Sequence, residues 1–196
     1  MNIKKSFSKL PTTALLLIAA GAVHAEDTTL DATLTATIRE TTCDMKLSGG
    51  IGSDTQQKIN VTLPGNDHPW IPLADGQAGK GIATFKLQII ECPASLSSLK
   101  TTIKGTADVT LKTGLANQIA KADGGAEYAA LEIARTTATT APFTINSETD
   151  AGRLVWTDTE IDKKEVSLTA TLRETQPGLM SLGKYTAVAT FEFSYE

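Results

Sequence analysis

Cysteine, histidine and aromatic side chains are all scarce in this chain of 196 residues, and each scarcity removes a class of function. The only cysteines are Cys43 and Cys92, with no Cys-x-x-Cys spacing, so a redox pair or a thiolate metal site has little to build on. The histidines are His24 and His68. A Ser–His–Asp arrangement would rest on His68 alone, and no Gly-x-Ser-x-Gly elbow accompanies it, so His68 reads as a surface residue. Basic residues are outnumbered, with 18 Lys+Arg against 22 Asp+Glu, which argues against a nucleic-acid partner. The glycines between Gly49 and Gly52 are not followed by Lys-Ser/Thr, so they form no phosphate loop. A glycosidase needs only two carboxylates, but nothing marks any pair among the 22 acids. Asp158, Glu160 and Asp162 alternate, which reads as one solvated strand face rather than an oxygen-rich calcium loop. Asn60-Val61-Thr62 matches the glycosylation sequon, a pattern that recurs by chance. No enzyme activity, metal or cofactor is expected.

Long apolar runs are also missing, apart from one at the N-terminus. Lys4, Lys5 and Lys9 precede the run Ala14–Ala22, and Val23-His24-Ala25 supplies small residues for cleavage after Ala25. Residues 1–25 therefore read as a signal peptide. The rival reading is an uncleaved anchor, for which the run is shorter than the roughly 20 residues a span needs. Removing it leaves 171 residues, one domain's worth, and takes away three lysines and no acids, moving the formal charge from −4 to −7. An even cysteine count in an exported chain reads as one disulfide, Cys43–Cys92, which closes a loop of about 50 residues and contributes roughly 4 kcal/mol in the chain-entropy model.

What is present is alternation. In Gly183–Glu196, Tyr185, Ala187, Ala189, Phe191, Phe193 and Tyr195 take every second position, the mark of a strand with one buried face. Nothing follows Glu196 to pair with it, so its partner is expected from earlier in the chain or from another chain. An apolar edge left open is an aggregation template. Leu30, Ala32, Leu34, Ala36 and Ile38 alternate in the same way ahead of Cys43. Further strands are expected at Ile59–Leu63, at Ala83–Glu91 (Phe85, Leu87 and Ile89 inward), as one strand or a pair marked by Leu99, Ile103, Val109 and Leu111 with a bulge or turn at Gly105, around Phe143 and Ile145, at Leu154–Trp156 and at Val166–Leu172. Ser48–Asp54 is a loop, and Asn66–Pro72 is irregular surface with Trp70 packed down. Ala126–Ala134 has helix-forming composition but alternates, and is read as a strand, with a short helical turn near Ala116–Ala122. Leu34–Thr41 nearly recurs as Leu168–Thr175, which reflects a shared Thr/Ala strand vocabulary rather than a repeat architecture. About nine short apolar runs between turn clusters indicate an all-β sandwich or barrel.

Taken together, the signal peptide, the alternating segment ending near Cys43, the Phe85-x-Leu87-x-Ile89-x-x-Cys92 run and the Gly183-x-Tyr185…Ala189-Thr190-Phe191-x-Phe193-x-Tyr195 ending resemble the type 1-like pilins, fimbrial subunits of the bacterial chaperone–usher pathway. The resemblance spans the mature chain, with no diagnostic motif between Ala94 and Lys164. It implies an immunoglobulin-like β-sandwich lacking its final strand, which a periplasmic chaperone and then the neighbouring subunit complete at the outer-membrane usher. It implies residues 26–36 as a donor-strand extension before a pilin domain, 37–196. Leu30, Ala32 and Leu34 would be the donor side chains. Ile38, Tyr185, Ala187, Ala189, Phe191 and Phe193 would line the acceptor groove, and Tyr195 and Glu196 would be held by the chaperone. The sequence departs from the family in having no glycine between Glu26 and Thr42, where Ala32 and Ala36 are the smallest apolar-face residues.

Three functions follow as expectations: a polymerising fimbrial subunit exported through the periplasm to the cell surface, supporting adhesion; a single-domain adhesive or adaptor subunit near the fibre tip, contacting a host receptor through the Pro69-Trp70 region; and a secreted sandwich complete without partners.

Overall fold

The computed structural model describes residues 43–66 and 70–195, which belong to one compact unit, Arg39–Glu196. The expected signal peptide, the Leu30–Ile38 alternation with its donor and groove residues Leu30, Ala32, Leu34 and Ile38, as well as His68 and Glu196, lie outside the described residues.

The fold is an immunoglobulin-like sandwich of two antiparallel sheets. One has five strands: β1 (Asp44–Ser48), β4 (Ile82–Glu91), β9 (Glu165–Glu174), β7 (Ala129–Arg135) and β6 (Gly114–Ala116), in that order across the sheet. The other runs β10 (Ala189–Tyr195), β5 (Leu99–Gly105), β8 (Leu154–Val155), and a small hairpin joins β2 (Ile51–Gly52) to β3 (Gln57–Lys58). Period-two alternation explains the core. Phe85, Leu87 and Ile89 of β4 and Val166, Leu168 and Ala170 of β9 point inward and meet Leu99 and Ile103 of β5 and Leu154 of β8. Trp156, just past β8, is buried too and donates its indole N–H to Thr101 Oγ1 at 2.9 Å, satisfying both polar groups inside the core. A short helix, α1 (Leu73–Gln77), packs on β9; a Cβ on Gly76 would stand 3.1 Å from Met180 Sδ, so glycine permits that contact. The disulfide Cys43–Cys92 joins the residue before β1 to the residue after β4, across the Asp44↔Glu91 pairing.

Several expected elements are replaced for local reasons. Asp158, Glu160 and Asp162 lie on a helix, α2 (Asp158–Asp162), not a strand face. A capping box starts it: Thr157 Oγ1 accepts from Glu160 N at 3.2 Å, and Glu160 Oε2 accepts from Thr157 N at 2.9 Å. Val109 is 84% exposed at a turn tip, because Asp108 Oδ1 accepts from the N–H groups of Thr110 and Leu111 and ends the extended run. Phe143 and Ile145 are buried as expected but lie in a loop. Ile59–Leu63 forms no strand. Only Thr62 bridges to Ile82 before the Leu63–Asn66 turn at Pro64-Gly65. Trp70 is 64% exposed rather than packed down, and its neighbour Ile71 takes the inward place against Gly76 and Gly81. The turn expected near Ala116–Ala122 is a single 3-10 turn at Lys121–Asp123, and Ala126–Ala134 becomes strand β7 from Ala129 onward.

One ion pair locks α2 onto the five-stranded sheet. Arg135 donates from Nε and Nη2 to the two Glu160 oxygens at 2.7 and 2.9 Å, also reaches the Val155 carbonyl, and lies over the Phe143 ring. Burial pushes the Glu160 carboxyl up, but the Arg135 guanidinium and the Thr157 backbone outweigh it and hold its pKa below the ordinary value. A carboxyl depressed by folding contributes stability at neutral pH that is lost as pH falls through its folded pKa. Arg135→Ala is therefore expected to lower unfolding free energy at pH 7 by about 2 kcal/mol in urea titration. The gap between variant and wild type should narrow as pH falls through the depressed folded pKa of Glu160 and its carboxylate protonates.

Candidate functional site

The C-terminal run is built on two superimposed parities. Side chains at Tyr185, Ala187, Ala189, Phe191, Phe193 and Tyr195 face the core, while those at Lys184, Thr186, Val188, Thr190, Glu192 and Ser194 face solvent. The inward row behaves unlike the inward rows of β4 and β9. Phe85 and Leu168 are 3% and 0% exposed, yet every member of the C-terminal row is only half-buried. The row does touch the core, with the Phe191 and Phe85 rings 5.8 Å apart between centroids. It is therefore packed from behind and left uncovered along one side.

Backbone hydrogen bonds show which side. In an extended run, the N–H and C=O of alternate residues point to opposite edges. Lys184 and Thr186 spend theirs on the 117–126 segment: Lys184 N donates to Gly124 O, Ala126 N donates to Lys184 O, and Gln118 N donates to Thr186 O. Further along, β10 pairs with β5 in the register Ala189↔Gly105 to Tyr195↔Leu99. The odd residues of β5 turn away from β10: Leu99 O accepts from Trp156 N, Ile103 O from Asn146 N, and Gly105 exchanges bonds with the Asn146 side chain. The β5 bonds toward β10 therefore come from Lys100, Thr102 and Lys104, and meet Ser194, Glu192 and Thr190. All even residues thus use one edge. The odd residues from Tyr185 to Tyr195 present their N–H and C=O groups on the other, where no strand pairs with them among the described residues.

Both ends of this edge are fixed. At the start, a Cβ on Gly183 would collide with the Gly125–Ala126 backbone, so the Gly-x-Tyr element depends on glycine for close approach. Tyr185 donates its hydroxyl to Leu115 O at 2.6 Å, and burial pushes its phenol pKa well up. At the far end, Tyr195 donates to Cys43 O at 3.3 Å, its phenol also raised by burial, so the end of β10 is tied to the disulfide. The structure thus sets Tyr185, Ala187, Ala189, Phe191, Phe193 and Tyr195 in one row, with Tyr195 at the end beside Cys43–Cys92. Met45 and Leu47 of β1, half-buried against the same core, were not anticipated, although their two-residue spacing after Cys43 is a readable strand signal. Among the described residues no cluster of His, Cys, Asp or Glu could hold a metal, and no helix is long and apolar enough to cross a membrane.

The same architecture is found in solved pilus subunits. The crystal structure of the P pilus rod subunit PapA superimposes with a TM-score of 0.51 at 17% identity, covering 84% of this chain and 99% of that one. This is a pilin fold. A chain from the structure of a chaperone–usher pilus matches with a TM-score of 0.50 at 16% identity, over 84% of this pilin-like chain and 94% of its own. In sequence, the chain is 28% identical over 177 residues to the uncharacterized fimbrial-like protein YadM of Escherichia coli strain K12, covering 86% of this chain and 88% of YadM. No protein-family model matches. The resemblance to fimbrial subunits drawn from the sequence is thus borne out.

The bond to Leu115 makes Tyr185 a structural anchor of the edge. Tyr185→Phe removes the hydroxyl bond to the Leu115 carbonyl and is expected to lower the unfolding free energy by about 1 kcal/mol in denaturant titration, with the m-value unchanged.

Proposed function

We propose that this protein is a structural subunit of a chaperone–usher fimbria that polymerises by donor-strand exchange and supports adhesion. The observation that carries this reading is the C-terminal run, whose inward row stays half-buried beside an edge with no partner among the described residues. An added strand supplies both missing elements, main-chain partners for the odd residues and side chains to cover Phe191 and Phe193. In the assembled fibre that strand is residues 26–36 of the next copy or of a related subunit, with Leu30, Ala32 and Leu34 as its apolar side chains. Before assembly a periplasmic chaperone fills the same gap and holds Tyr195 and Glu196, and the exchange occurs at the outer-membrane usher. Ile38, just ahead of Cys43, closes the groove opposite. Residues 1–25 direct export and are removed, and the product reaches the cell surface as part of a fimbrium. Deleting Glu26–Leu34 is expected to give a subunit that still forms a chaperone complex but no heat-sensitive, SDS-resistant ladder. Ladders equal to those of the full chain would refute the donor assignment.

A second reading, a single-domain adhesive or adaptor subunit near the tip that contacts a host receptor, draws on Trp70, whose ring is largely exposed beside α1. Under this reading Trp70→Ala abolishes host-cell binding by intact fibres, and unchanged adhesion removes its best candidate.

A further inference from the structure

The clasp that holds the start of the open edge is centred on one side chain. Asn117 lies just after β6, and its amide makes four hydrogen bonds: Nδ2 donates to Lys184 O at 2.8 Å and Ala126 O at 2.9 Å, while Oδ1 accepts from Thr186 N at 3.0 Å and Ile119 N at 3.1 Å. That exhausts the capacity of an asparagine side chain. Two of the bonds take the carbonyl and the N–H that flank Tyr185 on its even side, which is what the peptide group of a neighbouring strand would do. Asn146 does the same for β5, exchanging bonds with Gly105 N and Gly105 O where regular pairing has ended. Both side chains stand in for a missing stretch of ladder.

This has a consequence for the opposite edge. Strand β10 covers seven residues, Ala189–Tyr195, and is straightened by β5. The residues before it have no β5 partner, and their extension in line with β10 depends on the bonds at Lys184 and Thr186. We propose that Asn117 is a positioning residue for strand addition: by holding Lys184 and Thr186 on one edge, it keeps Tyr185 and Ala187 aligned on the other, lengthening the edge offered to an incoming strand from Ala189–Tyr195 to Tyr185–Tyr195. This rests on the strand-addition reading above. At about 3.3 Å per residue, the added stretch is on the order of 13 Å of pairing edge. Where the added stretch meets β10 the inward side chains, Ala187 and Ala189, are small, so the edge there leaves room for larger side chains on the incoming strand than the Phe191–Phe193 part does.

The test uses the purified mature chain and a synthetic peptide of residues 26–38 of this sequence, fluorescently labelled, with binding read by anisotropy. For the wild type, shortening the peptide by about four residues at either end is expected to weaken binding about tenfold, the worth of one or two backbone hydrogen bonds. Asn117→Asp keeps the shape of the side chain but cannot donate to Lys184 O or Ala126 O. In that variant one of the two shortenings becomes neutral while the other keeps its full effect. If both shortenings weaken binding to the variant as they do to the wild type, Asn117 does not set the length of the edge. If the full peptide fails to bind the wild type, strand addition itself is wrong, and the role of Asn117 falls with it. Amide exchange on the wild type gives the answer without a variant: Tyr185 and Ala187 N–H groups gain protection with peptide alongside Phe191 and Phe193, whereas protection confined to Ala189–Tyr195 overturns the proposal.

Discussion

The structure depends on the one-sided pairing of its C-terminal run. Every even residue from Lys184 to Ser194 that forms a ladder bond does so toward the 117–126 segment or toward β5, and every odd residue faces the other way. Because side-chain and backbone parity coincide, the residues that point their side chains at the core are the same ones that point their peptide groups at the open edge. A single added strand would therefore complete the hydrogen bonding and the packing together. Fully burying a phenylalanine is worth about 1.5–3 kcal/mol, so covering the half-exposed Phe191 and Phe193 offers a strand stabilisation that its backbone bonds extend.

The remaining architecture keeps that edge rigid. Phe191 is backed by Phe85 of β4, Tyr185 is fastened to Leu115, and Tyr195 is fastened to Cys43, itself held to the end of β4 by the disulfide. An edge prepared in this way loses little conformational entropy when a partner arrives. Two other strand ends are closed by local devices: the Asn146 amide at Gly105, and Arg135 of β7, which holds Glu160 of α2 and the Val155 carbonyl of β8.

Much of this was legible in the sequence, because a period of two is a direct consequence of strand geometry. The rows of β4, β9 and the C-terminal run could be read residue by residue, as could the disulfide. Two departures share a cause, which is that short local motifs outrank alternation over a few residues. Thr157-x-x-Glu160 is a capping box, and it turned an alternating Asp158-x-Glu160-x-Asp162 into helix α2. Asp108 ended the extended run before Val109 by accepting from the following N–H groups. Asn117 carried no signal at all, since a lone asparagine in a loop acquires its role only from the approach of Lys184 and Thr186, distant in sequence. The donor side of the proposed contact, Leu30 to Leu34, remains a reading of pattern and lies outside the described residues.

On the proposed reading, β10 is completed by a strand from another chain. The most direct test is the unfolding midpoint of the purified mature chain, followed while the peptide of residues 26–38 is added. A partner that binds the folded state alone raises stability by RT ln(1 + [L]/Kd), about 2.7 kcal/mol at a hundredfold excess over Kd. A marginally stable free subunit whose midpoint climbs steadily with peptide is the expected result. A chain that unfolds at a high midpoint, unchanged at every peptide concentration, would contradict it.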